Sequence, residues 1–226
     1  MTAPDRLDLH VHSRHSPDST SPLREIAARA ESLGLRGFAL TDHNSVAGHA
    51  EIPEIRARYP RLIVVAGVEI STREGHLLAY GVAEAPPRGR QIEESLDWVR
   101  AHGGVPVLAH PFRVWHGVGR RVATVAAVPA IEATNGHSAA YVNRRASVVA
   151  SARKLGTTGG SDAHLPDDLG RCWTEFEGPT DSEEDVLAAL RGGRVRAAGR
   201  SATRGEATRL AFHSALRRLR RGLGPV

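Results

Sequence analysis

Short apolar runs alternate along the chain with stretches of helical spacing. Runs at 7–12, 37–41, 62–72, 76–82, 105–109, 130–133 and 157–160 predict strands. Apolar positions three and four apart predict helices near 22–34, 47–58, 91–102, 119–127, 138–155 and 182–192. Ser21 before Pro22 reads as an N-cap with proline in the first turn. Asp181 or Ser182, ahead of Glu183, Glu184 and Asp185, gives a second, acidic helix start. Gly34 and Gly103 sit where helices should stop. The strands are nearly continuous in Val, Ile, Leu and Ala, as expected when both faces are covered. Their alternation with helices predicts an α/β fold on a parallel sheet. A distorted (βα)7 TIM-like barrel suits the count, and a doubly wound open sheet fits the pattern nearly as well. No internal repeat and no Pro/Gly linker divides the body. Residues 194–226 read as an appendage, and the division expected is a domain over 1–200 with a helical tail over 201–226. In that tail Ala207, Leu210, Ala211, Ser214, Ala215 and Leu219 line one face of a helix.

Composition narrows the class. The chain has 226 residues, 41% of them hydrophobic and 24% charged, which is ordinary for a globular protein and wrong for a disordered or fibrous one. A domain of this size buries roughly 70% of its unfolded surface, so it needs no covalent staples. The single cysteine, Cys172, excludes an internal disulfide framework. No apolar run approaches the ~20 residues of a membrane span, and the first residues hold no apolar signal core. The expectation is a cytoplasmic protein with no membrane partner. Charge is uneven: residues 191–226 carry ten Arg and one acid, Glu206, for a net +9, whereas the preceding 190 residues carry a net −4. The basic balance therefore describes the tail and not the body, and overall charge alone is no argument for nucleic-acid binding.

The chemistry clusters at the ends of the runs. Asp8, His10 and His12 alternate with apolar neighbours, so on a strand they share a face. Two histidines at that spacing can chelate one metal. Asp42 and His43 follow the second run, Glu69 lies late in the third, His76 opens the fourth, His110 ends the fifth, and Asp162 and His164 follow the seventh. In parallel α/β folds the C-terminal strand ends carry the site, because the loops there converge. Surface histidines would not track strand ends in this way, so a polynuclear metal site is expected. Imidazole and carboxylate without thiolate suit Zn, Mn or Fe. Cys172 reads as a small buried hydrophobe rather than a ligand.

The motifs Asp8-Leu-His-Val-His-Ser, Thr41-Asp-His, Gly67-Val-Glu, Ala109-His-Pro and Gly160-Ser-Asp-Ala-His resemble, in order, those of the PHP (polymerase and histidinol phosphatase) superfamily. The chain looks most like its short stand-alone members, metal-dependent phosphoesterases. The resemblance implies a distorted seven-stranded barrel, two or three divalent ions at the C-terminal strand ends, and phosphoester hydrolysis. It implies His10, His12, Glu69 and Asp162 on one ion, with Glu69 bridging to a second held also by His76 and His110. It implies a third ion on Asp18, His43 and His164, with His15 as the other candidate in the loop that carries Asp18.

A phosphate monoester is a dianion that repels hydroxide. Clustered divalent ions cancel that charge and lower the pKa of a bound water from 15.7 towards ~7, giving a nucleophile at neutral pH. Asp8 and Asp42 read either as acceptors that orient histidines or as local caps. Glu132 reads as a support beneath the site. Arg113 and Arg171 are candidates to grip phosphate through the guanidinium fork. His15, His116 and His137 are candidates to protonate a leaving oxygen. Three readings compete. The first is a phosphomonoesterase acting on a phosphorylated small molecule or nucleotide. The second is a nuclease or exonuclease, favoured by the basic tail as a nucleic-acid contact and disfavoured by the scarcity of stacking rings. The third is a non-catalytic metal-binding regulatory module.

Overall fold

The computed structural model describes residues 4–178 and 180–220. The last six residues of the predicted tail, 221–226, lie outside the described residues. One nine-stranded sheet runs in the order β7-β6-β5-β4-β3-β2-β1-β8-β9. The strands are β1 (Arg6–Val11), β2 (Gly37–Leu40), β3 (Ile63–Ser71), β4 (His76–Tyr80), β5 (Val105–Leu108), β6 (Ala130–Asn135), β7 (Gly156–Gly160), β8 (Cys172–Phe176) and β9 (Val195–Gly199). The helices are α1 (Leu23–Ser32), α2 (Ile52–Arg58), α3 (Ile92–Ala101), α4 (Gly119–Ala123), α5 (Ala140–Arg153), α6 (Glu183–Arg191) and α7 (Arg204–Arg220). No helix among the described residues is long and apolar enough to cross a membrane.

All seven predicted strands form, but the sheet is mixed rather than parallel. β4 runs antiparallel to both β3 and β5. The reason is connection length: Thr72 and Gly75 close a tight turn between β3 and β4, whereas a parallel neighbour needs a crossover of a dozen residues or more. β8 and β9 are two strands that the apolar pattern does not announce. β8 buries only alternate residues, Cys172, Thr174 and Phe176, and two of those three are weak apolar signals. β9 places residues 195–199 in the sheet against β8, so this part of the predicted appendage belongs to the body. Ser21 is not the cap of α1; its hydroxyl bonds the His164 carbonyl at 3.0 Å, and Pro22 holds the N-cap position. Ser182 caps α6 in a reciprocal capping box with Asp185.

The sheet curls until β7, at one edge, reaches back to β1 and β8. Thr174 Oγ1 accepts from Gly159 N at 2.9 Å and donates to Gly159 O at 3.0 Å. Just beyond β7, Asp162 N bonds His10 O at 2.8 Å. A Cβ on Gly160 would stand 2.3 Å from the His10 Cβ, and one on Gly159 would stand 2.3 Å from Trp173 O. The run Gly156-Thr-Thr-Gly-Gly is therefore a poor strand former kept for close approach, and it turns an open sheet into a distorted, nearly closed barrel. Leu7, Leu9, Val65, Leu78, Tyr80 and Val107 pack in one buried cluster with Val186, Leu187 and Leu190 of α6. Tyr80 satisfies its hydroxyl on Leu9 O at 2.9 Å.

Because the seam has no room for a methyl group, Gly160→Ala is expected to destabilise the fold by about 1–3 kcal/mol, the usual penalty for overpacking. Thermal denaturation checks this; an unchanged Tm would show that the seam is not tight.

Candidate metal centre

The strand ends deliver the ligand-type residues to one place. β1 carries His10 and runs on to His12. Asp42 and His43 follow β2, Glu69 lies near the end of β3, and His110 follows β5. Asp162 and His164 follow β7. His76 opens β4, yet joins them, because β4 is reversed and its first residue lies at the same end of the barrel. Asp18 comes from the loop after β1. His10, His12, Asp18, His43, Glu69, His76, His110, Asp162 and His164 are all buried, none more than 9% exposed.

Glu69 sits at the middle. Its Oε1 lies 2.8 Å from His76 Nδ1 and 3.0 Å from His110 Nε2. Its Oε2 lies 3.0 Å from His43 Nδ1, 3.2 Å from His10 Nε2 and 3.4 Å from His12 Nε2. The two oxygens thus face different sets of imidazoles, as a bridging carboxylate would. Asp162 Oδ1 faces His12 Nε2 at 3.3 Å and His10 Nε2 at 3.6 Å. Asp18 Oδ2 lies 3.0 Å from His164 Nε2 and 3.5 Å from His43 Nε2. Donor atoms within 4.8 Å of one another group as His10-His12-Glu69, His43-Glu69-His76, His12-His43-His164, His10-His110-Asp162 and His137-Asp162-His164. His43 stands between two of the sets that the family resemblance separates, and His137 joins them as a further neighbour.

The donor set fits divalent ions. Among the described residues, His10 Nε2, His12 Nε2, His43 Nδ1, Glu69 Oε2, His76 Nε2, His110 Nδ1 and His164 Nε2 are buried without a hydrogen-bond partner. Buried polar atoms are normally satisfied, so a cluster of unsatisfied nitrogens around carboxylates points to cations as the missing partners. Electrostatics agree. Burial would raise the Glu69 and Asp162 carboxyls, but the surrounding imidazoles, and Arg113 beside Asp162, hold both well below the usual carboxylate range. Burial would lower His164, yet Asp18 beside it raises it to about 9. His12, buried and facing His164 and His43, is lowered to about 3.

A layer of hydrogen bonds holds these side chains in place. Glu132 Oε1 lies 2.9 Å from His10 Nδ1, which leaves Nε2 to face the cluster. Glu132 Oε2 accepts from His110 N at 2.7 Å and from Asn135 Nδ2 at 3.1 Å. Glu132 therefore supports the site, and Asn135 does so unforeseen; its position at a strand end was the available signal. His110, His116 and Asp162 have φ values of +25°, +70° and +59°, conformations rare outside glycine that recur at functional sites. Asp8 accepts from Ser161 N and Gly170 N, at 2.8 and 3.0 Å. Asp42 accepts from Ser13 N and Oγ, at 2.6 and 2.7 Å. Both carboxylates, raised to about 6 by burial, are loop caps rather than histidine-orienting acceptors.

The other candidates divide. Arg113 Nη2 reaches Asp162 Oδ2 and Asn135 Oδ1, each at 2.6 Å, at the edge of the cluster. His116 stacks on His76 with centroids 4.5 Å apart, and burial lowers it to about 4. His137 stacks on His164 at 5.3 Å. By contrast, His15 pairs with Glu51 at 2.6 Å, beside Arg14, and Arg171 faces Glu206 at 3.7 Å. Neither makes a contact with the cluster. Cys172 is buried in β8, where burial raises its thiol.

Residues 8–107 match the family described as PHP domain, and residues 140–195 match the one described as PHP-associated. An uncharacterized protein of Methanocaldococcus jannaschii is 31% identical over 117 residues, 47% of this chain and 68% of that one. A 5'-3' exoribonuclease of Haemophilus influenzae is 33% identical over 106 residues, 45% of this chain and 38% of that one. A probable phosphatase of Edwardsiella ictaluri is 32% identical over 120 residues, 49% of this chain and 45% of that one. The chain thus spans less than half the length of these last two. In fold it is similar to a two-domain protein of Bacteroides vulgatus containing a PHP-like metal-dependent phosphoesterase, with a TM-score of 0.71 at 18% identity over 95% of this chain and 73% of that one. It is also similar to PsfC of Pseudomonas syringae, with a TM-score of 0.72 at 19% identity over 97% of this chain and 99% of that one.

Two substitutions test the central layer. Glu132→Gln leaves one acceptor oxygen for partners on both sides, so either His10 Nδ1 or the His110 N–H then faces an NH2 group, and it is expected to lower activity and metal affinity about 10–100-fold, the range found for partners that orient ligands. Glu69→Gln touches both sets of imidazoles and is expected to cost more activity than Asp18→Ala. Steady-state kinetics with metal analysis of each purified variant checks the order, and a smaller loss at Glu69 than at Asp18 would remove the bridging role.

Proposed function

Because the chain belongs to the PHP family of metal-dependent phosphoesterases, we propose that its site hydrolyses a phosphate monoester, that of a small molecule or a nucleotide. The observation that carries the reading is the division of Glu69 between two sets of buried imidazoles, with Arg113 at the edge of the same cluster. In this reading His10, His12, Glu69 and Asp162 hold one ion. Glu69, His76 and His110 hold a second, and Asp18, His43 and His164 a third. Divalent ions there would supply charge neutralisation for the phosphoryl oxygens and a water acidic enough to attack at neutral pH.

The chain's own residues do the positioning. Glu132 keeps the Nδ1 of His10 occupied, so its Nε2 faces inward. Arg113 fixes the Asp162 carboxylate through Nη2 and donates to Ser138 Oγ through Nε, and its Nη1 is suited to receive a phosphate oxygen. His116 and His137 flank the cluster. With its pKa lowered by burial, His116 would be neutral at pH 7. It would then serve as an acceptor or orienting group for the leaving side rather than as a ready acid. His15 and Arg171, held by Glu51 and Glu206, are not needed for this reading. Zn, Mn and Fe remain the ions suited to the donor set.

A second reading, an exonuclease acting on phosphodiesters of short nucleic acids, is favoured by two observations: the similarity to the exoribonuclease of Haemophilus influenzae and the arginines of α7, which can neutralise backbone phosphates.

Turnover of mononucleotides and of 5'-phosphorylated oligonucleotides, each with added Mn, Zn or Fe and over a range of salt, separates the two. Faster hydrolysis of mononucleotides, with little salt dependence, is the expected result. Preferential cleavage of oligonucleotides with a steep loss at higher salt would replace the monoesterase reading by the exonuclease one.

A further inference from the structure

The basic C-terminal helix is anchored so that one face lands on the site. Ala202 N bonds Ser138 O at 3.0 Å, and Asn143 Nδ2 bonds Ser201 Oγ at 2.9 Å. Thr203 and Glu206 then form a reciprocal cap: Glu206 N donates to Thr203 Oγ1 at 3.2 Å, and Thr203 N to Glu206 Oε2 at 2.8 Å. Arg200 and Arg171 pin the same glutamate at 3.0 and 3.7 Å. From this fixed start the inward face of α7 runs through Ala207, buried Leu210, Ser214 and Arg217, at helical spacing.

The apolar part of that face ends one turn before its last two contacts, and those contacts are polar. Ser214 Oγ donates to Asp18 Oδ2 at 2.8 Å, and Arg217 Nε donates to the Asp18 carbonyl at 2.7 Å. Asp18 Oδ2 is the same oxygen that lies 3.0 Å from His164 Nε2 and 3.5 Å from His43 Nε2. Its other oxygen accepts from Ser16 Oγ at 3.1 Å. A carboxylate oxygen has room for more than one partner, so Ser214 can orient Oδ2 without removing it from the imidazoles. Arg217 holds the backbone of the same residue, in a loop that has no strand to fix it. Asp18 is the one ligand-type residue of the nine that no strand end positions.

We propose that Ser214 and Arg217 are positioning residues for Asp18, so that occupancy of the ion shared by Asp18, His43 and His164 depends on helix α7. The inference rests on the ligand sets of the proposed function, and extends them by making the C-terminal helix a working part of the centre. The sequence expectation of an appendage over 194–226 does not describe α7, whose inward face meets a predicted ligand. Leu219, which the sequence places on the same helix face, is 74% exposed, whereas Leu210 is buried.

The test is metal uptake by the full-length chain, stripped of metal and titrated with Mn2+ or Zn2+ against a chromogenic chelator. Ser214→Ala removes one oxygen, and Arg217→Ala removes the guanidinium; each is expected to weaken one bound equivalent about 10–100-fold, as loss of a ligand's orienting partner does, and to leave the others unchanged. Arg217→Lys, which keeps a donor, is expected to restore part of that affinity. Arg209→Ala, on the exposed side of α7, is the control and should bind as the parent chain does. Equal affinity for every equivalent in folded Ser214→Ala and Arg217→Ala chains would overturn the inference, as would a parent chain whose bound equivalents are all insensitive to Asp18→Ala. Because the titration contains no substrate, failure of the monoesterase reading leaves it standing, and its failure leaves hydrolysis at the other ligands untouched.

Discussion

At the seam where β7 meets β1, two backbones lie so close that Gly160 cannot carry a side chain. The rest of the molecule depends on that approach. It brings Asp162 N onto His10 O and joins Val11 to Ala163 in a bridge, so residues about 150 positions apart share one site. It also makes the barrel close, which places the reversed β4 and the parallel strands around a common mouth. Had β7 bulky β-branched residues in place of its glycines, it would be a better strand by propensity. It would also hold Asp162 and His164 away from the first two histidines.

Three carboxylates buried among six imidazoles are an unfavourable arrangement without compensation, since burying unsatisfied polar atoms costs roughly 1–3 kcal/mol each in proteins. The chain concentrates such atoms in one volume and surrounds it with satisfied ones. Glu132, Asn135, Asp8 and Asp42 each accept or share well-formed hydrogen bonds. Among the described residues, most of the unsatisfied side-chain atoms instead belong to the histidines and to Glu69 of the cluster. Backbone strain follows the same division: three of the non-glycine residues with positive φ, His110, His116 and Asp162, lie at the cluster. Rigid surroundings hold an interior whose donor atoms suit cations.

The distribution of charge takes on a different meaning in the folded chain. A net +9 over 191–226 reads in one dimension as a detachable arm. In three dimensions its first strand, β9, completes the sheet. Its helix is tied to the body by Ala202 N on Ser138 O, by Asn143 on Ser201 and by Arg171 on Glu206. The arginines that remain outward give the helix its charge, while the inward face reaches the loop of Asp18.

The sequence by itself determined the seven core strands, the seven helices and the ligand-type residues at the strand ends, whereas Asp18 entered only through the family resemblance. Those features are local: an apolar run, a helical period, or a histidine at a run's end carries its own signal within a few residues. Glu132 was legible for the same reason, as a polar residue inside an apolar strand. What only the tertiary structure decided is relational. The reversal of β4, the partners of Glu69, the pairing of Arg171 with Glu206 and the descent of α7 onto Asp18 all join residues whose separation in sequence carries no periodic mark. Strands β8 and β9 were hidden for a related reason: half-exposed strands bury too few apolar side chains to stand out. Their place is fixed by the neighbours they bond, and a neighbour is not written in the segment itself.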